Sequence, residues 1–390
     1  MKQIHVINLE QMGGVERLLL QYIKASSDKK NIILCISNHV GTEIQHHLIE
    51  KKVYFANRLF NNLPIRCPKI LRKYWLSWKI SKISADCVIV WDLIPEFFIK
   101  PKNTKLLYYD HGSSWRYTIN SKTMRFFGML DGVISVSQAS KRVMELRFNL
   151  PCAHLVVLNR LITPIGINHI AKSLTEPVRL GTASRLVSLK GISVSILTLH
   201  ELICRGHNII LEIAGQGPEQ EELQRLANKL ELNNYVRFSG FQENMSVFFN
   251  RVDIYMSTPI TESFGLSCME ALYYGIPVIF PIIDGQPEVI CDGVCGIGIY
   301  PTVSIKHHQN LSGIKINFSY HVYDPVSDVL VQPKLLSHIE CANAVEQLIV
   351  PKRYRKFSHN AQRYTRSHFS YDAFQKKFQK ALHSFSLKKY

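Results

Sequence analysis

Two long stretches of this chain alternate short apolar runs with amphipathic segments, and that alternation constrains the fold more than any other feature. In the first half, the apolar run Cys87–Trp91 follows the helically spaced segment Lys69–Ile83. The pattern starts again with the run Val178–Ala183 and the helical pattern Ile192–Cys204. Near-continuous apolar strands separated by helices are typical of parallel sheets covered on both faces. The sequence therefore predicts an α/β protein with two doubly wound domains.

The predicted elements fall into two groups along the chain. The predicted strands of the first half are Ile4–Asn8, Ile32–Ile36, Cys87–Trp91, Lys105–Tyr109 and Gly132–Val136. Those of the second half are Val178–Ala183, Ile209–Ala214, Tyr235–Ser239, Ile254–Ser257 and Val278–Phe280. The predicted helices are Val15–Lys24, Lys69–Ile83, Ile192–Cys204, Pro218–Leu230 and Ser267–Tyr274. The polar segment 163–177 is predicted to link the domains, the aperiodic segment 301–335 is interpreted as an insertion, and the tail is predicted to be helical.

The net charge of +17 is distributed unevenly. Residues 51–82 carry nine Lys or Arg and no Asp or Glu, and residues 352–390 carry eleven Lys or Arg and one acid. Such charge attracts polyanions, which include nucleic acid, an anionic membrane surface and phosphorylated glycans. A solvated face that aids solubility is the alternative interpretation.

The remaining composition favours a cytoplasmic location. The nine cysteines are scattered without a CxxC pair or a zinc-binding pattern, which favours free thiols in a reducing compartment. No apolar run approaches the roughly 18 residues that span a bilayer. The amino-terminal residues lack the layout of a signal peptide and are predicted to form a strand.

Loops that follow the second-half strands hold the first candidate site residues. Arg185 and Lys190 follow a predicted strand and precede a helix, where two cations and a helix N-terminus can neutralise a diphosphate. Two exposed loop cations are the alternative. The segment 215–217 leaves the next strand, and its glycines allow another group to approach the backbone closely.

Two carboxylates, Glu262 and Glu270, lie in the stretch TESFGLSCMEALYYGIPVIF. Backbone N–H groups at 264–266 can hold phosphate, because the first turn of a helix leaves them unpaired. Glu270 can accept two hydroxyl hydrogen bonds and suits a ribose diol, and Glu262 suits a sugar hydroxyl. An acid–base pair of the glycosidase kind is one alternative, and an exposed helix carboxylate is another for Glu270.

The first half offers two weaker candidates. Gly13 and Gly14 lead from the first strand into a helix and allow a tight turn beside a phosphate or sugar. The spacing is not GxGxxG, which disfavours NAD. His111 follows another strand, before Gly112; a structural histidine is the alternative interpretation.

The order of these motifs resembles the family-four glycosyltransferases. The motifs are the Gly-Gly at 13–14, the His-Gly at 111–112, Arg185 with Lys190-Gly191, the Gly-x-Gly-Pro-Glu at 215–219 and the Glu-x7-Glu at 262–270. The resemblance covers nearly the whole chain, is best over 178–292 and is poor over 301–335. It implies the GT-B fold, with two Rossmann-like doubly wound parallel-sheet domains that face a cleft. The implied domains are an acceptor domain at 1–165, a donor domain at 166–350 and basic helices at 351–390 that pack back on the first domain.

The resemblance also implies roles for individual residues. The implied catalytic residues are His111, Arg185, Lys190 and Glu262. The implied donor-binding residues are Gly13, Gly14, Gly217, Phe241, Ser263, Phe264, Gly265, Leu266 and Glu270. The basic pair would stabilise the leaving diphosphate, Glu262 would lie near the donor sugar, and Glu270 would hold the ribose hydroxyls.

The chemistry implied by the resemblance is retaining transfer from a nucleoside-diphosphate sugar. The acceptor attacks on the face that the leaving group departs from, and the donor phosphate takes the acceptor's proton, so no protein nucleophile is named. Because no Asp-x-Asp occurs in the chain, no metal is expected, and the sugar nucleotide is the only small molecule required. A glycan or glycolipid is the expected acceptor, such as lipopolysaccharide or a polyprenyl-linked oligosaccharide.

Other interpretations remain open from the sequence. The segment 66–82 mixes cations with aromatic residues and is either a helix on an anionic membrane, with Trp75 or Trp78 at the interface, or a core-facing helix with a basic outer face. A sugar-nucleotide epimerase of the same fold, a nucleic-acid-binding protein and a non-catalytic scaffold are the rival functions. No helix-turn-helix or RNA-binding signature supports nucleic acid.

Overall fold

The computed structural model describes residues 1–25, 30–48, 52–160 and 172–387. The chain forms two compact units: unit 1 is Met1–Ile162 with Tyr371–Tyr390, and unit 2 is Thr163–Ser370. Most of the predicted linker, residues 163–171, lies outside the described residues.

Unit 1 is built on a seven-stranded parallel sheet. Its strands are β1 (Gln3–Ile7), β2 (Asn31–Cys35), β3 (Val53–Phe55), β4 (Cys87–Trp91), β5 (Lys105–Asp110), β6 (Gly132–Ser135) and β7 (Ala153–Val156). Its helices before the domain junction are α1 (Gly14–Ala25), α2 (Thr42–Gln45), α3 (Lys69–Ile83), α4 (Ser121–Gly128) and α5 (Gln138–Arg147), with 3-10 turns at His46–Leu48 and Ser113–Arg116. The strand order is β3-β2-β1-β4-β5-β6-β7, which is the Rossmann order with one added strand.

Unit 2 repeats this architecture with six parallel strands. The sheet strands are β8 (Val178–Ala183), β9 (Ile209–Ala214), β10 (Val236–Gly240), β11 (Ile254–Met256), β12 (Val278–Pro281) and β13 (Gly296–Ile299). The helices are α6 (Ile192–Cys204), α7 (Gln220–Lys229), α8 (Met245–Arg251), α9 (Leu266–Tyr273), α10 (Gln286–Val289), α11 (Ile305–Ser312), α12 (His338–Leu348) and α13 (Pro351–His368), with a 3-10 turn at Ser188–Lys190. The order β10-β9-β8-β11-β12-β13 confirms a second doubly wound sheet.

Apolar composition explains the central strands. Every residue of β1, β4, β6, β11 and β12 is buried, which a strand covered by helices on both faces requires. The strands β3 and β7 are only partly buried, and the predictions did not include them. The strand β13 was missed as well, because Gly296 and Gly298 weaken its apolar pattern.

The segment interpreted as an insertion has regular structure of its own. It contains α11, the short pair β14 (Val303–Ser304) with β17 (Lys334–Leu335), and an antiparallel hairpin of β15 (Val322–Asp324) and β16 (Val329–Val331). Short strands and scattered polar residues hide this order from a search for hydrophobic periodicity.

The basic tail is helical, as predicted, but it divides between the units. Helix α13 lies in unit 2, whereas α14 (Tyr371–Leu387) lies in unit 1. The ring of Phe378 packs against Tyr22, Tyr109 and Phe374, with centroids 5.1–5.6 Å apart. The amino-terminal sheet is therefore completed by residues from the far end of the chain.

Two further observations bear on the compositional predictions. Among the described residues, no helix combines the length and apolarity needed to cross a bilayer. All nine cysteines are free thiols, and most of them are buried.

The position of Phe378 gives a test of how α14 is attached. We expect Phe378→Ala to lower the free energy of unfolding of unit 1 by about 3–5 kcal/mol, because the substitution leaves a cavity among packed aromatic rings. Lys376→Ala, on the exposed side of the same helix, should change stability by less than about 0.5 kcal/mol. Chemical denaturation measures both; equal effects would contradict this packing.

Candidate functional site

The candidate site of unit 2 lies where its sheet changes direction of strand succession. Strands β8 and β11 are neighbours in the sheet but are separated by two strands in the sequence. The loops that leave their carboxyl ends diverge over the sheet, and ligands of such sheets bind at this point. The loop after β8 carries Lys190, and the loop after β11 carries Glu262. Their side chains form an ion pair, with Lys190 Nζ 2.5 Å from Glu262 Oε2, and both are partly exposed.

Backbone contacts fix Lys190 in this position. The 3-10 turn ends at Gly191, which has φ +58°, a conformation that favours glycine. A Cβ at Gly191 would stand 2.0 Å from the carbonyl oxygen of Thr258, so the two loops touch through bare backbone. The hydroxyl of Thr258 donates to the Gly191 carbonyl at 2.9 Å, and Ile260 N–H donates to the Leu189 carbonyl at 2.8 Å.

Asp284 holds the backbone of Glu262, and the sequence predictions did not include it. Its Oδ2 accepts the Glu262 N–H at 2.9 Å, and the Thr261 hydroxyl also donates to this carboxyl. Asp284 is buried and has φ +51°, which is uncommon outside glycine. Burial raises the pKa of its carboxyl to about 8, against the lowering effect of these hydrogen bonds.

The same aspartate connects the site to the segment 301–335. Asp284 Oδ1 accepts the N–H of Tyr323, the central residue of β15, at 2.7 Å. Asp284 N–H donates to the Tyr323 carbonyl at 2.8 Å. Strand β15 therefore braces the Glu262 loop through one buried carboxyl, which gives the segment a structural relation to the site.

The residues after Glu262 form the entrance to α9. Gly265 has φ +104° and no side chain that could cap the first N–H groups of the helix. Leu266 begins the helix, Phe264 is buried against Phe369, and Ser263 lies in the loop with its carbonyl against Gly285. The arrangement leaves a helix N-terminus next to the Lys190–Glu262 pair in sequence, and helix N-termini attract anions.

Glu270 occupies the second turn of α9 and is half-buried rather than exposed. Its charge contributes to the raised pKa of Tyr255, after the larger effect of burial, and contributes in the same direction at Tyr274. Its carboxylate thus lies near two phenol groups of the unit 2 core.

The other predicted residues of unit 2 lie at the same sheet edge. Arg185 is exposed in the loop after β8, and Phe241 is exposed directly after β10. Gly217 follows β9, and a Cβ there would stand 2.2 Å from the Leu186 carbonyl oxygen. The group that approaches this glycine is therefore the chain itself, and its donor-binding role stays a prediction.

The predicted residues of unit 1 also gather at the ends of neighbouring strands. Gly13 and Gly14 follow β1, with Gly14 as the first residue of α1. The carboxylate of Glu16 folds back over Gly13, where an added Cβ would lie 2.6 Å from Oε2. Burial raises the pKa of Glu16, and the charge of Asp92, after β4, contributes to the rise.

His111 follows β5 and is held through its backbone. Asp92 Oδ1 accepts the His111 N–H at 2.8 Å, and Asp92 Oδ2 accepts the Ser113 hydroxyl at 2.7 Å. The imidazole stacks on Trp91, with centroids 5.9 Å apart. Burial lowers the pKa of His111 to about 3, and the charge of Arg160 contributes. The ring is therefore neutral at physiological pH, and Asp92 is a second site residue that the predictions did not include.

Substitution of Asp284 tests its role as a brace. Asp284→Asn tolerates the positive φ but turns an amide NH₂ toward one of two backbone N–H donors, so we expect a loss of about 1–3 kcal/mol in the free energy of unfolding. Asp292→Asn, at an exposed carboxylate that also accepts a backbone N–H, is the matched control and should cost less. Equal losses in denaturation experiments would contradict the brace.

The raised pKa of Asp284 predicts a pH dependence with a definite sign. Between the unfolded value of about 4 and the folded value of about 8, the folded protein holds a proton that the unfolded chain has lost. This group's contribution to stability therefore declines as the pH rises through that interval, and the asparagine variant lacks the decline. The stability difference, wild type minus Asp284→Asn, should fall from pH 5 to pH 8; a rise would show that the hydrogen bonds outweigh burial.

Comparison with known proteins places these features in a family. Residues 169–310 match the family model of the glycosyl transferases group 1. One protein of the human phosphatidylinositol N-acetylglucosaminyltransferase is 24% identical over 302 residues, which cover 72% of this chain. The match spans 61% of the human protein's own length.

Solved structures share the fold over nearly the whole chain. HepE from Anabaena, solved in complex with UDP and glucose, superposes with a TM-score of 0.70 at 17% identity and covers 98% of this chain and 100% of its own. The lipopolysaccharide outer core galactosyltransferase WaaB has a TM-score of 0.70 at 18% identity, with 98% and 99% covered. The chain therefore has the GT-B fold of two Rossmann-like domains and carries a domain of the glycosyl transferases group 1 type.

Proposed function

We propose that this chain is a retaining glycosyltransferase that moves a sugar from a nucleoside-diphosphate sugar to a cell-surface glycan or glycolipid. The Lys190–Glu262 pair carries the proposal, because it places a cation and a carboxylate together where a parallel sheet binds its ligands. The complex of HepE with UDP and glucose supports a nucleotide sugar as the donor.

The leaving diphosphate is proposed to bind at the loop after β8 and the start of α9. Lys190 can contribute further N–H donors while one of its hydrogen bonds goes to Glu262, and the exposed guanidinium of Arg185 can fork onto phosphate oxygens. The open N–H groups after Gly265 add positive potential. Such fixed charges stabilise the negative charge that develops on the diphosphate in the transition state.

Glu262 and Glu270 are proposed to hold the sugar and the ribose, respectively. The ion pair with Lys190 makes Glu262 a hydrogen-bond acceptor, which suits a sugar hydroxyl better than the role of proton donor. The half-buried Glu270 is positioned by α9 and can accept two ribose hydroxyls. Gly13, Gly14 and His111 are proposed to act near the reacting sugar on the family resemblance alone.

Transfer is proposed to need neither a metal nor a protein nucleophile. The acceptor oxygen forms the new bond to the anomeric carbon, the bond to the diphosphate breaks on the same face, and the acceptor proton passes to the departing phosphate. Arg185, Lys190 and the start of α9 take the place that a divalent cation would otherwise have beside the diphosphate. Undiminished turnover in EDTA supports this part of the proposal, and full loss that Mg²⁺ restores contradicts it.

The proposed acceptor is a lipid-linked or polymeric glycan at the inner face of a membrane. WaaB acts in the lipopolysaccharide outer core, and its fold similarity supports an acceptor of this class. We place the protein in the cytoplasm in peripheral contact with anionic lipid, which agrees with its charge of +17.

Nucleotide binding can be tested without knowledge of the acceptor. We expect one nucleoside diphosphate among UDP, GDP and ADP to raise the melting temperature without added metal, because it binds only the folded protein. The shift should be lost in Lys190→Ala and kept in Lys229→Ala, an exposed lysine on α7. A folded protein whose melting temperature responds to none of these nucleotides would contradict the proposal.

The two glutamates should fail in different ways. Glu270→Ala should weaken nucleotide binding by about tenfold or more, as expected for lost hydrogen bonds to a charged acceptor. Glu262→Ala should lower kcat by about a hundredfold with a smaller effect on binding, because its contacts matter most in the transition state. Titration calorimetry and steady-state kinetics separate the two, and matching losses in both quantities would overturn the assignment.

A further inference from the structure

We propose that the outward surface of α3, together with the adjoining loop at 98–99, docks on an anionic lipid bilayer. This surface, called here the α3 apolar face, comprises Ile70, Leu71, Tyr74, Trp78, Phe98 and Ile99. The proposal names the membrane-contact surface of the glycosyltransferase proposed above, but its argument uses only unit 1.

The α3 apolar face is formed by large apolar side chains that stand in solvent. Their exposed fractions are 80% for Ile70, 52% for Leu71, 42% for Tyr74, 50% for Trp78, 38% for Phe98 and 52% for Ile99. At 3.6 residues per turn, the four α3 side chains fall within an arc of about 100°. One side of the helix is therefore continuously apolar and exposed.

The opposite side of α3 is already used by the unit 1 core. Leu76 and Ile80 are buried against the sheet. The indole N–H of Trp75 donates to the Arg58 carbonyl at 2.9 Å, so Trp75 is engaged within the unit, and Trp78 is the tryptophan that faces outward. A helix needs one apolar side to pack on its own domain. The second apolar side, where a basic outer face was one of the alternatives from sequence, calls for another apolar environment.

The loop before β5 extends this surface beyond the helix. Tyr74 and Phe98 are in edge contact, with centroids 5.3 Å apart. The Ser77 hydroxyl donates to the Ile99 carbonyl at 2.6 Å, which ties the loop to the helix. Two separate parts of the chain thus present apolar side chains on one surface, which isolated exposed residues do not do.

Cations surround the α3 apolar face. Arg125 of α4 lies over the Phe98 ring at 4.7 Å, and Lys82 lies over the Trp78 ring at 5.7 Å. Residues 51–82 contain no acid, and Glu96 is the acidic residue nearest to Phe98 in the loop sequence. Exposed aromatic and aliphatic side chains with a cationic rim match the interface of an anionic membrane. A nucleic acid would satisfy the cations but not Ile70 and Leu71.

Vesicle flotation of the full chain tests this surface. We expect binding to vesicles of phosphatidylcholine with phosphatidylglycerol at low salt, weaker binding at high salt, and little binding to phosphatidylcholine alone. Ile70→Ser with Leu71→Ser should reduce binding at both salt concentrations. Lys82→Glu with Arg125→Glu should reduce binding at low salt by about tenfold or more, at about 1 kcal/mol per charge removed near the surface.

Matched controls use equivalent residues of unit 2. Val326→Ser with Val350→Ser removes exposed apolar side chains, and Lys352→Glu with Lys356→Glu reverses exposed charges; neither should change binding. Vesicles with brominated acyl chains should quench tryptophan fluorescence in the wild type and lose most of this quenching in Trp78→Phe. The nucleotide-induced shift in melting temperature should persist in all these variants, which separates this test from that of the proposed function.

Three results would overturn the docking surface. The first is no flotation of the wild type with anionic vesicles at low salt, and the second is equal flotation of the α3 variants and their controls. The third is a dimer in sedimentation velocity that Ile70→Ser with Leu71→Ser dissociates, because a second copy would then cover the α3 apolar face.

Discussion

The contact between the loops after β8 and β11 is the constraint on which the candidate site depends. Gly191 has room for the Thr258 carbonyl only because it lacks a side chain, and this close approach brings Lys190 within 2.5 Å of Glu262. The two loops come from neighbouring strands of a parallel sheet whose order changes at that position. Sheet topology thus supplies the position, and one glycine supplies the distance.

Asp284 adds a second layer of support to the same loop. It binds the backbone on both sides, at Glu262 and at Tyr323, and its positive φ lets both carboxylate oxygens reach N–H groups. The hairpin that contains Tyr323 lies in the segment with the poorest family resemblance. The most individual part of the chain is therefore attached to the part that carries the proposed chemistry, and differences in this hairpin can alter the loop without any change in its own sequence.

The central strands and the long helices were predictable because burial on both faces leaves an apolar signature. The helix Lys69–Ile83 and the strands Cys87–Trp91 and Val178–Ala183 have the predicted bounds. Half-exposed edge strands such as β3 and β7 lack that signature. Asp284 and Asp92 were not predictable, because their importance comes from buried backbone donors and positive φ angles that no residue pattern displays. The outward apolar side of α3 was hidden for a related reason, since apolar residues on two sides of a helix blur its period.

The central claim is that a nucleoside diphosphate binds where Lys190 and Glu262 meet. A crystal structure of the protein with the nucleoside diphosphate that raises its melting temperature tests this most directly. Our account predicts the diphosphate within hydrogen-bonding distance of Lys190 Nζ and of the first N–H groups of α9, with the ribose hydroxyls on Glu270. A nucleotide bound elsewhere, with the Lys190–Glu262 pair unchanged and its surroundings empty, would contradict the account.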